Sequence, residues 1–341
     1  MWPFIKFFLF FLEPETAHTI TFLLLKALVK IPGIKGLLKH KFKIASQKPI
    51  RLFGLEFKNP VGLAAGLDKN GQYISELALL GFSHIEIGTV TARPQKGNPR
   101  PRLFRMPKDK ALINRMGFNN DGALEVARRL NFFTKPIDLI LGINIGKNKE
   151  TSNEEAFLDY KICFEALYPF ADYFTINISS PNTPGLRGLQ DKGPLRNLLK
   201  EISDLNKAQV KLKPILLKIA PDLKHDQLAE IKELCLEYAI AGIIMGNTSI
   251  GRENLKTLPD RIDKIGPGGL SGEPIRQQSL EKLKSLIELP GNMDIIGVGG
   301  ILEVQAAQEK LNAGAALIQI YTGLIYEGPG FVKRLVRDLK Y

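Results

Sequence analysis

The sequence predicts an α/β protein: a (β/α)8 TIM barrel preceded by a small two-helix extension. Three observations carry this. From about residue 50 onward, short apolar runs alternate with segments of helical periodicity. Eight such runs can be counted, and eight parallel βα units close naturally into a barrel. The first 48 residues stand apart from the rest in both hydropathy and charge. With 44% apolar and 24% charged residues, a chain of 341 residues can bury a large core.

The head comes first. MWPFIKFFLFFL is intensely apolar but short, and EPE breaks it at residues 13–15. TAHTITFLLLKALVK follows and ends at Pro32 and Gly33. Two helices are expected, roughly 3–12 and 14–30, with Pro14 in the first turn of the second. Neither reaches the roughly 20 apolar residues needed to span a bilayer. A cleaved signal peptide fits poorly, because no small-residue cleavage site follows the run. The head holds eight lysines against two glutamates, half of the formal net charge of +12. Apolar faces flanked by lysines suit a membrane-associating helix pair lying on an anionic lipid surface. The alternative is a core-packing cap with a solvated basic face. No nucleic-acid-binding motif accompanies the charge. The extension is expected to cover residues 1–42 and the barrel residues 43–341.

The expected barrel strands are VGLAA (61–65), HIEIGTV (84–90), LILGINIG (139–146), YFTINIS (173–179), PILLKI (214–219), GIIMGN (242–247), DIIGVGG (294–300) and ALIQIYTG (316–323). Continuous apolar strands of this kind belong to a parallel sheet covered on both faces. Helical spacing follows the first strand in GQYISELALLGF, the fifth in DQLAEIKELCLEYAI and the seventh in VQAAQEKLNAGA. The long segment 91–137 is expected to add surface strands or loops, as are residues 181–194. An open doubly wound sheet is the alternative architecture. Cys163 and Cys235 lie far apart in helix-like segments and read as buried free thiols. The four histidines show no metal-binding spacing, so no metal is expected.

A barrel of this kind carries its site at the C-terminal strand ends. In order, those ends offer Lys69, Thr89, Asn144, then Asn177, Ser179, Ser180 and Asn182, then Lys218, Asn247 and Thr248, Gly299 and Gly300, and Tyr321 and Thr322. The long insertion adds Asn114, Asn119 and Asn120. Each lone amide is as well explained by a turn or cap. The ring as a whole suits a flat ligand with both N–H and C=O edges, and its lysines suit an anion. GVGG and the following IYTG place glycine backbone where this fold commonly holds phosphate. FMN fits both ends, whereas NAD lacks its GxGxxG after the first strand.

AAGLDKNG, IEIGTVTARPQKGNPRPRLFR, INRMGFNN, GINIGKNK, NISSPNTPGLR, KIAPDL, GLSGEPI and IIGVGGI, in this order along nearly the whole chain, resemble the dihydroorotate dehydrogenases. The apolar head with EPETAH resembles the quinone-dependent, membrane-associated class 2 of that family. The soluble class 1 enzymes lack the head and carry Cys where this chain has Ser180. The resemblance implies oxidation of (S)-dihydroorotate to orotate in pyrimidine (UMP) biosynthesis, with FMN as cofactor and a membrane quinone as electron acceptor. It implies FMN contacts from Ala65, Gly66, Leu67, Asp68, Lys69, Thr89, Asn144, Asn177, Lys218, Gly272, Gly300, Tyr321 and Thr322. Lys69, Asn114, Arg115, Met116, Gly117, Phe118, Asn177, Asn182, Asn247 and Thr248 would hold dihydroorotate or orotate. Ser180 would be the base, with Thr183 and Phe118 shaping a proton path. His18, Arg105 and Tyr321 would line the quinone pocket. The chain departs from the family pattern at Gly246, where Thr or Ser is usual. A monomer on the cytoplasmic face of a bacterial inner membrane is expected, since no Arg-rich transit segment is seen. The alternatives are a soluble class 1-type flavin dehydrogenase using fumarate or NAD, a phosphate-binding isomerase or Schiff-base aldolase using Lys218, and a non-catalytic membrane-binding barrel.

Overall fold

The computed structural model describes residues 2–45 and 48–341. A hairpin of β1 (Ile50–Leu52) and β2 (Leu55–Phe57) precedes the first barrel strand. The strands that follow are β3 (Val61–Leu63), β4 (His84–Val90), β5 (Leu103–Met106), β6 (Ala111–Asn114), β7 (Ile140–Ile145), β8 (Tyr173–Asn177), β9 (Ile215–Ile219), β10 (Gly242–Met245), β11 (Gly269–Gly272), β12 (Asp294–Val298) and β13 (Leu317–Ile320). Strands β3, β4, β7, β8, β9, β10, β12 and β13 pair in parallel, and β13 closes the barrel onto β3. All eight expected strands are present, several shortened at their C-terminal ends. There the chain turns out of the ladder to present side chains to the mouth, as at Asn177–Ser180 and Gly246–Thr248.

The strands are buried almost without exception because helices cover the outside of the barrel. Helices His225–Glu237 and Val304–Asn312 form where helical spacing predicts them. GQYISELALLGF gives only a short helix, Ile74–Ala78. Cys163 and Cys235 are both buried and free.

The barrel interior is not purely apolar. Glu86 of β4 is fully buried and accepts hydrogen bonds from Asn144 Nδ2 (2.8 Å), Tyr173 OH (3.1 Å), Thr175 Oγ1 (3.0 Å) and Gln319 Nε2 (3.0 Å). Four donors from β7, β8 and β13 thus satisfy a carboxylate that would otherwise be costly to bury.

The long 91–137 segment contributes β5 and β6, as expected of a surface addition. Its partner on the other edge is β11, giving a three-stranded antiparallel sheet in the order β11–β6–β5. GLSG has two glycines in four residues and no β-branched residue, so nothing local announces a strand. It forms by pairing with Ala111–Asn114. Residues 181–194 contribute a 3-10 turn at Leu186–Gln190 and the start of helix Lys192–Lys207.

The N-terminal extension has three helices, one more than expected: α1 (Trp2–Phe11), α2 (Pro14–Val29) and α3 (Ile34–Lys41). The Glu13 carboxylate caps α2 by accepting from Thr16 N at 2.8 Å. In α3, IKGLLKHK is short and interrupted by Gly36, which hides it from periodicity. It is held by its surroundings: Phe42 is buried behind it and Lys333 Nζ donates to the Lys41 carbonyl at 2.9 Å. Helix α2 packs against β5 and helix Ile74–Ala78. Among the described residues, no helix is long and apolar enough to cross a membrane.

Candidate active site

A cavity opens at the C-terminal ends of the barrel strands, roofed by β6 and β11, with about 1000 Å³ of space free of atoms including its mouth. That volume suits a sizeable ligand. Of the residues assigned from the sequence to a cofactor, Ala65, Gly66, Lys69, Thr89, Asn177, Lys218, Gly272, Gly300, Tyr321 and Thr322 line it. Of those assigned to a substrate, Asn114, Met116, Gly117, Phe118, Asn182, Asn247 and Thr248 line it with Lys69 and Asn177. Ser180 lies in the same wall and is buried.

Four of the residues assigned to cofactor or substrate stand outside the lining, as does Thr183 of the proton path. Leu67 turns its carbonyl to His18, 2.8 Å from Nε2. Asp68 receives Gln72 N at 2.8 Å and Tyr73 N at 2.7 Å, fixing the turn that delivers Lys69. Asn144 lies beneath the floor, accepting from Thr89 Oγ1 (2.6 Å) and Asn177 Nδ2 (3.1 Å) while donating to Glu86. Arg115 points away: its Nη1 donates to the Ile265 and Pro267 carbonyls, and its guanidinium stacks 4.6 Å from the Phe104 ring.

One hydrogen-bonded chain therefore runs from the barrel interior to the cavity wall. Glu86 orients Asn144, and Asn144 orients Thr89 and Asn177. Asn177 Oδ1 accepts from Ser179 Oγ at 2.9 Å, and Ser179 Oγ accepts from Asn247 Nδ2 at 2.8 Å. The amides of three different strands are thus held in one geometry by a network with few free rotors. Glu86 was not singled out from the sequence. The available signal was a carboxylate inside an otherwise apolar strand, which must find donors or be excluded from the core. Ser271 and Gln319 also line the cavity and were missed. Thr322 Oγ1 donates to Ser271 Oγ at 2.9 Å, joining the strand-eight end to the roof.

The two lysines differ in setting. Lys69 Nζ donates to the Gly66 carbonyl at 2.8 Å. Burial, only partly opposed by the Glu15 charge, brings its pKa down to about 8. Burial also lowers Lys218, with the Glu86 charge acting the other way. Thr183 is buried, and its Oγ1 has no hydrogen-bond partner among the described residues. An unsatisfied buried hydroxyl two residues past Pro181 is an open position for a water or proton carrier. Phe118 is held in the left-handed region, φ 52°, directly after Gly117 at φ 70°, which turns its ring into the cavity wall.

The cavity fits a phosphate-bearing flavin at its glycine end. A Cβ added to Gly300 would lie 2.2 Å from the Arg276 Cα, and one added to Gly272 would lie 2.3 Å from the Lys110 carbonyl oxygen. Both positions line the cavity and admit only glycine, and glycine backbone allows an anion to approach N–H groups closely. Among the described residues, no cluster of three His, Cys, Asp or Glu side chains could hold a metal ion. Gly246 is likewise required: at φ 124°, a Cβ there would lie 2.6 Å from the Val298 carbonyl oxygen. With glycine at this position the backbone takes a conformation that a Thr or Ser side chain would not fit without a local shift.

The residues assigned to a quinone pocket fall on two sides of the head–barrel junction. His18 of α2 meets the Leu67 carbonyl, and burial, then the Lys69 charge, lower its pKa to about 4. It is neutral near pH 7, so Nε2 carries the proton donated to Leu67. Tyr321 packs beside Gly66, next to that turn. Arg105 of β5 donates to the Phe10 and Leu12 carbonyls at 3.3 and 2.8 Å and stacks 4.7 Å from the Phe10 ring. It borders an apolar cleft with Leu12, Pro14, Leu103 and Phe104. The head thus contributes walls to a second, separate space.

The family model described as dihydroorotate dehydrogenase matches residues 49–341. A protein of Christiangramia forsetii named dihydroorotate dehydrogenase (quinone) is 50% identical, over 95% of this chain and 94% of its own length. One of the same name from Coxiella burnetii is 46% identical over 99% of this chain and 96% of its own. The crystal structure of DHODH from Eimeria tenella in complex with ferulenol superposes with a TM-score of 0.79 at 32% identity, covering 92% of this chain and 93% of that one.

Proposed function

Because this chain belongs to the dihydroorotate dehydrogenase family and is of its quinone-dependent kind, oxidising dihydroorotate to orotate with a quinone as acceptor, we propose that FMN is its flavin and that Ser180 is the base. The observation that carries this reading is the single cavity in which Ser180, Lys69 and a ring of amides face a glycine-only cradle. FMN, when bound, supplies the acceptor for the hydride that leaves C6. Gly272 and Gly300 would hold its phosphate, and Lys69, Thr89, Asn177 and Lys218 its ring edges.

The chain's own residues do the rest. Asn114, Asn182, Asn247 and Thr248 would grip the pyrimidine edges, and Lys69 its carboxylate. Ser180 Oγ would take the proton from C5. A serine alkoxide is strongly disfavoured near neutral pH, so the proton needs an outlet as it is taken. The buried, unpartnered Thr183 hydroxyl, three residues past Ser180, supports a path outward, with Phe118 in the cavity wall. Electrons leave to a quinone admitted between the head and the barrel, near His18, Arg105 and Tyr321, so the two substrates use separate pockets in a ping-pong cycle.

We further propose that residues 1–42 form the membrane-facing segment and 43–341 the FMN-binding barrel. The chain would act as a monomer bound peripherally to anionic lipid on the cytoplasmic face of a bacterial inner membrane, without nucleic acid or metal. The test is an absorbance spectrum followed by anaerobic dihydroorotate. A flavin band that bleaches, and Ser180→Ala protein that keeps the band but bleaches at least about 100-fold more slowly, is the expected result. Near-normal bleaching in Ser180→Ala would overturn the base assignment.

A further inference from the structure

Ser180 and the residues that would hold the pyrimidine sit on different loops. Ser180 follows β8, whereas Asn247 and Thr248 follow β10, and β9 lies between them in the barrel. β8 and β10 each pair with β9 rather than with each other, so across β9 the two loops are joined by side chains, among them Asn247 Nδ2 on Ser179 Oγ at 2.8 Å. Arg187 spans this gap. Its Nε donates to the Ser179 carbonyl at 3.1 Å and its Nη2 to the Thr248 carbonyl at 3.1 Å. Its Nη1 lies 2.9 Å from Asp222 Oδ2, on the loop after β9. Asp222 is itself held, with Oδ1 accepting from Ser249 Oγ at 2.5 Å and from Gln278 Nε2 at 3.2 Å. One planar fork thus joins the three loops after β8, β9 and β10, one residue from the base and at a substrate-facing threonine. A guanidinium can hold three such directions at fixed angles, whereas an ammonium is a point charge on a flexible stem.

We propose that Arg187, aimed by Asp222, is a positioning residue that fixes the separation between Ser180 Oγ and the pyrimidine held by Asn247 and Thr248. The inference rests on the reading of Ser180 as the base. Arg187 stands outside the cavity lining, so its effect is expected on C5 proton removal alone. A displacement on the order of 1 Å at a reacting pair costs about 100-fold in rate.

The test is anaerobic stopped-flow of full-length, flavin-loaded Arg187→Met and Arg187→Lys at saturating dihydroorotate. Both are expected to bleach about 100-fold more slowly, with flavin content and the rate of reoxidation by quinone at wild-type levels. The kinetic isotope effect from deuterium at C5 should grow in both, while that from deuterium at C6 does not. Millimolar guanidinium should restore part of the rate to Arg187→Ala. Bleaching within about twofold of wild type, or equal losses in both half-reactions together with flavin loss, overturns the proposal. If Arg187→Met does not fold, Asp222→Asn carries the same test: about tenfold slower bleaching is expected, and an unchanged rate overturns it. Ser180→Ala is measured alongside. Slow bleaching there with fast bleaching in Arg187→Met overturns the positioning role alone, and fast bleaching in Ser180→Ala overturns the base reading and this proposal with it.

Discussion

Lys69 gives the site a dependence on pH with a definite sign. Burial lowers its pKa to about 8, so in the free protein it is charged below that value and increasingly neutral above it. An anionic ligand beside the ammonium favours the charged form and raises the pKa. Binding above about pH 8 must then be accompanied by proton uptake, which weakens it by up to about tenfold per pH unit. Orotate affinity, followed by the shift of the flavin spectrum, is expected to be flat from pH 6 to 7.5 and to fall above 8. In Lys69→Met it should be weaker throughout and flat across the same range. This lysine was legible in the sequence because it stands just past the end of the first expected strand. Its altered proton affinity was not, because the desolvation comes from the roof and head that fold over it.

Helix α2 is fastened to the barrel by charge at one point. Glu15 is almost fully buried and accepts from Arg102 Nε (3.0 Å) and Nη2 (2.6 Å) and from Arg100 Nη2 (3.0 Å). Arg102 Nη1 reaches on to the Lys96 and Asn98 carbonyls, and Asn98 Nδ2 to the Asn182 carbonyl at 3.3 Å. The head is therefore wired to the loop that carries the cavity-lining amide Asn182. Burial alone would raise the Glu15 pKa, but the hydrogen bonds and charge of Arg102, then of Arg100, hold it below the ordinary carboxylate value. Its stabilising effect is thus present above the unfolded value and lost as pH falls through the folded one. Glu15→Ala strands Arg102 without its counter-charge, a loss on the order of 3 kcal/mol. Limited proteolysis within residues 14–41 is expected to accelerate at least tenfold in that variant, while the flavin band persists. Nothing local to EPETAH announced this tie. Its partners lie more than 80 residues away in sequence, and only the packing of α2 on β5 brings them together.

The molecule as a whole presents two surfaces of opposite character. Helix α1 packs through Trp2, Lys6 and Phe10, with Trp2 Nε1 donating to the Tyr326 carbonyl at 3.0 Å and Phe10 edge-on to the Tyr326 ring. Gly328 leaves room for the indole, since a Cβ there would lie 2.3 Å from it. The opposite face leaves Phe4, Phe7, Phe8 and Phe11 55–75% exposed. Among the described residues they stay exposed, and residues 1–48 carry eight lysines. Phe7→Ser and Phe11→Ser are expected to weaken binding to vesicles containing anionic lipid by about tenfold or more each, since burying one such ring contributes roughly 1.5–3 kcal/mol. Turnover with a short-chain, water-soluble quinone should stay near wild type. Cosedimentation at low and high salt checks this, with added salt removing only the lysine contribution.

Period and composition by themselves determined the barrel, because each strand is a local apolar run and eight of them leave little choice of closure. The strand-end residues were also readable, since their chemistry is carried by single side chains at predictable positions. Only the tertiary structure decided which of those residues share a cavity. Asn144 and Asp68 proved to be supports beneath the lining, and Arg115 turned outward to Phe104. It also decided that GLSG is a strand, that IKGLLKHK is a helix, and that Glu86 and Arg187 hold the site from behind. These depend on partners distant in sequence, and a pairing energy has no local trace in the chain that forms it.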